Sequence, residues 1–200
     1  MIPSPPETRA SLILRLPDVA DVAAWDEFVS IYGPVVFRIA RRLGLQAADA
    51  DDLVQEVFTA VARSVSDWLD RTDRGTFRAW LSRIAKNVAV NFLTRRATRS
   101  LGADGEHAKR LLDGIAANNG PLSDDFDLEY RREVFRRAAE QVRSVVSETT
   151  WEAFRMTHID GISVANAAEQ LGMSVGNVYI ARSRVMARLK ELVSRFETED

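Results

Sequence analysis

Cysteine is absent from the 200 residues, which excludes disulfides and thiolate metal sites. Lysine is nearly absent: of 27 basic residues only Lys86, Lys109 and Lys190 are lysines, a bias that reads as genome composition rather than function. No apolar run approaches the ~20 residues that a membrane-spanning helix needs, so no membrane segment is expected. The opening residues 1–15 are Pro-rich and carry no basic stretch ahead of an apolar one, so no signal peptide is read there. These features fit a cytoplasmic protein. The two histidines, His107 and His158, stand isolated and read as surface and packing residues. Nucleophile, metal and nucleotide motifs are all missing. The expectation is a protein that is not an enzyme and needs no cofactor.

What is present is apolar residues at helical spacing along almost the whole chain, with nothing that reads as a strand ladder. The periodicity predicts helices over 21–32, 36–43, 48–65 and 77–96. Gly33-Pro34 interrupts the first pair, and a polar loop spans 66–75. The stretch 101–122 holds Gly102, Gly105, Gly114, Asn118, Asn119, Gly120 and Pro121, residues that punctuate rather than pack. It reads as a linker with a short helix near 108–115. Helices follow over 126–146, 150–158, 164–171 and 175–196. The fold class is all-α: two small helical domains joined by a flexible linker. The boundaries are 1–20 for an N-terminal extension, 21–100 and 126–200 for the domains, and 101–125 for the linker.

Net charge is −2, but the charges are segregated. Residues 74–99 hold seven bases and no acid, and residues 170–190 hold four bases and no acid. Residues 101–130 hold seven acids against two bases. Two basic blocks flanking an acidic connector fit two nucleic-acid surfaces, or equally two solvated helix faces.

The sharpest local signal runs from Ser163 to Tyr179. Ser163 is placed to cap one helix, Gly172 to end it in a left-handed turn, and Ser174 to cap the next. That spacing is a helix-turn-helix. Val178, Ala181, Val185, Leu189 and Leu192 form the inward stripe. Tyr179, Ile180, Ser183 and Arg184 project away from it, where a recognition helix meets base edges. Arg182, Arg188 and Lys190 are placed for phosphate or solvent. The competing reading is an αα-hairpin with no DNA role.

Two further strings carry chemistry. Asp49, Asp52 and Glu56 share one face of the helix over 48–65. Solvent, a metal cluster or a protein partner could each account for that face. The metal is least favoured, because carboxylates stacked along one helix do not converge on an ion. The helix over 77–96 carries Arg83, Lys86, Asn87, Asn91 and Thr94 on a polar stripe near Phe77 and Trp80, a set suited to phosphate contact and unstacked bases. Trp80 reads as core; Phe77 is open between core and base contact.

Four strings together resemble the extracytoplasmic-function (ECF) sigma factors of the sigma-seventy superfamily. They are Trp25…Phe28…Tyr32, the run from Asp49 to Phe58, the run from Phe77 to Asn87, and the terminal helix-turn-helix. The resemblance covers nearly the whole chain. It implies a factor that binds core RNA polymerase, at the β′ clamp helices and the β flap, and recognises promoter −10 and −35 elements while promoting melting. It implies polymerase docking for Asp49, Asp52, Gln55 and Glu56. It implies −10 contacts for Arg74, Phe77, Arg83, Lys86, Asn87 and Asn91, with the loop 68–75 beside them. For the −35 element it implies Ser174, Tyr179, Ile180, Ser183, Arg184 and Arg188. Tyr179 departs from the Arg that relatives often carry there. An anti-sigma factor is a candidate regulator. The alternatives are a stand-alone helix-turn-helix regulator, which leaves residues 49–87 unexplained, and a metal-dependent nuclease.

Overall fold

The computed structural model describes residues 9–99, 103–117 and 122–197. Among them every regular element is helical: α1 (Arg9–Arg15), α2 (Val22–Arg42), α3 (Ala47–Leu69), α4 (Phe77–Arg99), α5 (Ala103–Ala117), α6 (Leu122–Val145), α7 (Glu148–Phe154), α8 (Val164–Leu171) and α9 (Val175–Glu197). A π-helical segment, Arg155–Ile159, continues α7. The chain divides into two compact units at residues 133 and 134, within α6.

The first unit packs α2, α3 and α4 around an aromatic cluster. Phe28 lies 5.0 Å from Tyr32, 5.2 Å from Phe58 and 6.0 Å from Phe77, measured between ring centroids. Ladders of Val57, Val61 and Val65 on α3 and Leu81, Ala85 and Ala89 on α4 are fully or almost fully buried. Such an apolar stripe stabilises by ~1.5–3 kcal/mol for each large side chain removed from water.

The interruption expected at Gly33-Pro34 does not occur: α2 runs through it. Proline in a helix interior costs ~3 kcal/mol, but Ile31, Tyr32, Val35 and Val36 on both sides are all buried. That tertiary burial outweighs the local penalty. The loop expected over 66–75 begins later, because α3 continues to Leu69. Its last turn is held by the buried Trp68, whose indole Nε1 donates to the Arg74 carbonyl at 3.1 Å.

The region read as linker contains more structure than its glycines suggested. α5 packs Ala108, Leu111 and Leu112 against Leu93 and Leu43. Gly44, at φ +90°, makes room for it, because a Cβ there would lie 2.6 Å from Leu111 Cδ2. The first half of α6 also belongs to the first unit. Phe126 and Tyr130 are buried, and Tyr130 stacks on Tyr32 at 5.7 Å. Glu129 and Glu133 are buried as well, at 1% and 0% exposure, and Arg38 bonds to both carboxylates. N-terminal to α2, the extension buries Leu12 and Leu16, and Arg15 forks onto Asp21, the N-cap of α2, at 2.7 and 2.8 Å.

The second unit gathers Ala138, Val142, Trp151, Phe154, Val185 and Leu189 into one core. Ala153, Ala168, Val178 and Ala181 form a smaller one, where alanine on three helices permits close approach.

Candidate polymerase and nucleic-acid interfaces

The helix-turn-helix is built by its caps. Ser163 Oγ accepts from the Asn166 amide at 3.2 Å and Ser174 Oγ from the Asn177 amide at 3.1 Å. Between them Gly172 adopts φ +63°, and Met173 N donates to Ala168 O at 2.9 Å, which closes α8 in a left-handed cap. Val178, Ala181, Val185 and Leu189 are buried and Leu192 is partly so. The opposite face is open: Tyr179 is 55% exposed and Ile180 50%, and Ser183, Arg184 and Arg188 are exposed.

Two features of this face were not read from sequence. Val175, at the start of α9, is 48% exposed beside them. Its signal is an apolar residue in the first turn that lies off the core stripe. Arg182 places its guanidinium 5.5 Å over the Tyr179 ring, so it braces that side chain rather than standing free. The π-helical segment aims His158 onto Phe154, with ring centroids 5.0 Å apart. Partial burial and the neighbouring Arg182 charge hold the imidazole below its ordinary pKa. Arg188 Nη1 reaches the Val145 carbonyl at 3.5 Å.

On α4, Arg83, Asn87 and Asn91 are exposed and Lys86 is half-buried, so the polar stripe lies on the surface. Arg74 is exposed too, but its guanidinium lies 5.1 Å over Trp68 and donates to Leu69 O at 2.7 Å. Phe77 departs from the expectation of base contact. It is 5% exposed, wedged between Trp68 at 5.4 Å, Trp80 at 5.4 Å and Tyr32 at 5.7 Å. A ring at helix position one points back into the bundle, and no face of it is left for a nucleobase. Trp80, expected in the core, is half-buried and stacks on Trp68 at 5.3 Å.

On α3, Asp52 and Gln55 are exposed, whereas Asp49 and Glu56 are half-buried. The uniform exposed acidic face expected from sequence is therefore divided. Asp49 is bound by Arg96, and Glu56 Oε1 accepts from Arg95 Nη2 at 2.7 Å. Both arginines come from the end of α4, a pairing that sequence spacing on one helix cannot reveal. Among the described residues no group of three or more His, Cys, Asp or Glu side chains is arranged to hold a metal. No described helix is long and apolar enough to cross a membrane.

The α3 and α4 surfaces lie within a match to Sigma-70 region 2 over residues 28–99, and the helix-turn-helix within a match to Sigma-70 region 4 over residues 146–189. The RNA polymerase sigma factor CnrH of Cupriavidus metallidurans is 31% identical, over 85% of this chain and 86% of its own length. The ECF RNA polymerase sigma factor SigE of Mycolicibacterium smegmatis is 26% identical over 98% of this chain and 72% of its own. The RNA polymerase sigma-E factor of Streptomyces coelicolor is 28% identical over 88% and 90%. The chain belongs to the sigma-70 family of RNA polymerase sigma factors, in its ECF branch. It is thus a transcription initiation factor by family, with the two-domain helical architecture expected from its sequence.

Proposed function

We propose that this factor docks on core RNA polymerase through the outward face of α3, opens the −10 element on the polar stripe of α4, and reads the −35 element with the exposed face of α9. It acts in the cytoplasm, where polymerase and promoter DNA are found, and contributes binding energy rather than bond chemistry. Asp52 and Gln55 are the accessible docking groups, and Glu56 joins them. Arg83, Lys86, Asn87 and Asn91, with Arg74 at the loop, contact the −10 strand. Ser174, Tyr179, Ile180, Ser183, Arg184 and Arg188 meet the −35 duplex. Val175 and Ile180 supply apolar contacts of the kind that recognise a thymine methyl. Functionally, polymerase and −10 binding fall to the first unit and −35 binding to the second, which begins within α6 at residue 134.

One observation carries the reading. A single chain presents a helix with Asp52 and Gln55 exposed beside an amide-rich basic helix, and separately a capped helix-turn-helix whose second helix keeps apolar and basic residues exposed. A stand-alone regulator needs only the last of these. Because net charge is −2, the free chain is a poor ligand for DNA. Bound to polymerase, two weak DNA contacts act as one tighter contact through effective concentration.

The test is equilibrium binding of fluorescent factor to core polymerase. Asp52→Arg reverses the exposed acid of the Asp49, Asp52, Glu56 stripe and should weaken binding at least tenfold, with an unchanged helical circular dichroism spectrum. Undiminished affinity removes α3 from the interface.

A further inference from the structure

The α3 and α4 surfaces meet in a groove. Asp52, Gln55 and Glu56 line its α3 side, and Val88, Phe92 and Arg95 its α4 side. Arg95 follows Asn87 and Asn91 at i+8 and i+4, so it continues the stripe proposed for DNA. Glu56 follows Asp52 at i+4 and continues the stripe proposed for docking. The Arg95–Glu56 pair therefore ties the end of one functional stripe to the end of the other. It is bidentate on the carboxylate from one guanidinium nitrogen, and both side chains remain substantially exposed, at 49% and 39%.

We propose that Glu56 is a shared carboxylate. In the free factor it holds Arg95. On docking, a cationic side chain of core polymerase takes its place, and the released Arg95 contacts a promoter phosphate. The proposal rests on the docking role of α3. Three observations support it. Glu56 already binds a guanidinium, so the chemistry of the incoming group is represented by the group in place. An ion pair this exposed is worth only ~0–1 kcal/mol, so exchange for an intermolecular partner is cheap. The groove floor of Val88 and Phe92 offers apolar surface to the aliphatic stem of an arginine or lysine. The neighbouring Arg96–Asp49 pair is less exposed, at 34% and 19%, and stays closed as the staple between the start of α3 and the end of α4. The device makes promoter contact conditional: the positive charge at Arg95 is neutralised until polymerase is bound.

The experiment compares wild type, Arg95→Gln, Arg95→Lys and Asp52→Arg in two measurements: affinity for core polymerase, and the salt dependence of promoter binding by the reconstituted holoenzymes. Arg95→Gln removes the internal competitor, so core affinity should stay equal or rise up to about fivefold, the fold-change equivalent of an exposed pair. The same variant should lower the salt slope of promoter binding by about one unit, the signature of one lost phosphate contact. Arg95→Lys should restore the slope. A weaker core affinity for Arg95→Gln, or an unchanged salt slope, overturns the exchange. Asp52→Arg separates the two levels. If it weakens core binding while Arg95→Gln behaves contrary to expectation, docking on α3 stands and the exchange fails. If it leaves core binding intact, both fall.

Discussion

Arg38 offers a quantitative test of how the first unit is held together. Its Nε donates to Glu129 Oε2 at 2.6 Å, and its Nη2 donates to Glu133 Oε2 at 3.1 Å and to the Glu129 carbonyl at 3.3 Å. Glu129 also pairs with Arg42 and Arg132, each at 2.7 Å. Arg38→Ala thus removes a weaker bond to the Glu129 carbonyl and two bonds to buried carboxylates, the latter each worth ~1.5–3 kcal/mol. Arg38 is a third exposed and Glu129 keeps its other arginines, which places the sum at the low end, about 3 kcal/mol. Arg38→Lys should recover less than half, because an ammonium cannot span both carboxylates as the planar fork does.

Burial by itself raises the Glu129 carboxyl, but bonds from Arg38 and Arg132 and the charges of Arg42 and Arg132 outweigh it and hold the group below its ordinary value of 4.5. A depressed carboxylate contributes stability that is present above its unfolded pKa and lost as pH falls through the folded value. The wild-type unit should therefore lose this stabilisation only below about pH 4.5. Arg38→Ala brings the folded value back toward the unfolded one, so it should shrink the acid-dependent loss, and the stability of the variant should depend less on pH than that of the wild type. The assay is urea unfolding in a Trp151→Phe background, where the remaining tryptophans, Trp25, Trp68 and Trp80, all report the first unit. With a slope of ~1–3 kcal/mol per molar urea, the midpoint should fall by roughly 1–3 M. A loss below about 1 kcal/mol would mean that the cluster behaves as surface charge and that α6 is not anchored by it.

Asn87→Ala should impair open-complex formation more than recruitment, since a captured base loses hydrogen bonds that exist only after melting. Permanganate reactivity of the −10 strand at wild-type intensity would contradict this. Arg184→Ala should flatten base preference at one or two −35 positions at a cost of ~1–3 kcal/mol. Arg188→Ala should instead weaken all −35 variants alike and reduce the salt slope. Transcription from single-base −35 variants at two salt concentrations separates the two effects, and identical profiles for both mutants would remove the assigned placement of α9 in the groove.

The sequence carried the helix-turn-helix almost completely, because its determinants are local: two serine caps, one left-handed glycine and an i, i+3/i+4 apolar stripe. It misled where tertiary packing overrides local propensity. Pro34 read as a break, yet burial on both sides keeps α2 continuous. The stretch 101–122 read as a linker with a short helix near 108–115; the helix is present but longer, Ala103–Ala117, and its fit of Leu111 against Gly44 was not legible from local glycines. Phe77 could not be assigned from its own spacing, because its burial depends on Trp68, Trp80 and Tyr32 from other turns of the fold. The acidic face was visible as Asp49, Asp52 and Glu56, but which of them is free is decided by Arg95 and Arg96, roughly forty residues away in sequence.

In the proposed mechanism this chain directs polymerase to promoters through α3, α4 and α9 together. Run-off transcription with core polymerase on a randomised promoter library tests it most directly. Transcripts are expected only when the factor is present, from templates enriched in a two-part motif, with Asp52→Arg strongly reducing output and Arg184→Ala relaxing only the upstream part. Factor-independent output, or a selected motif with no element near the start site, would contradict it.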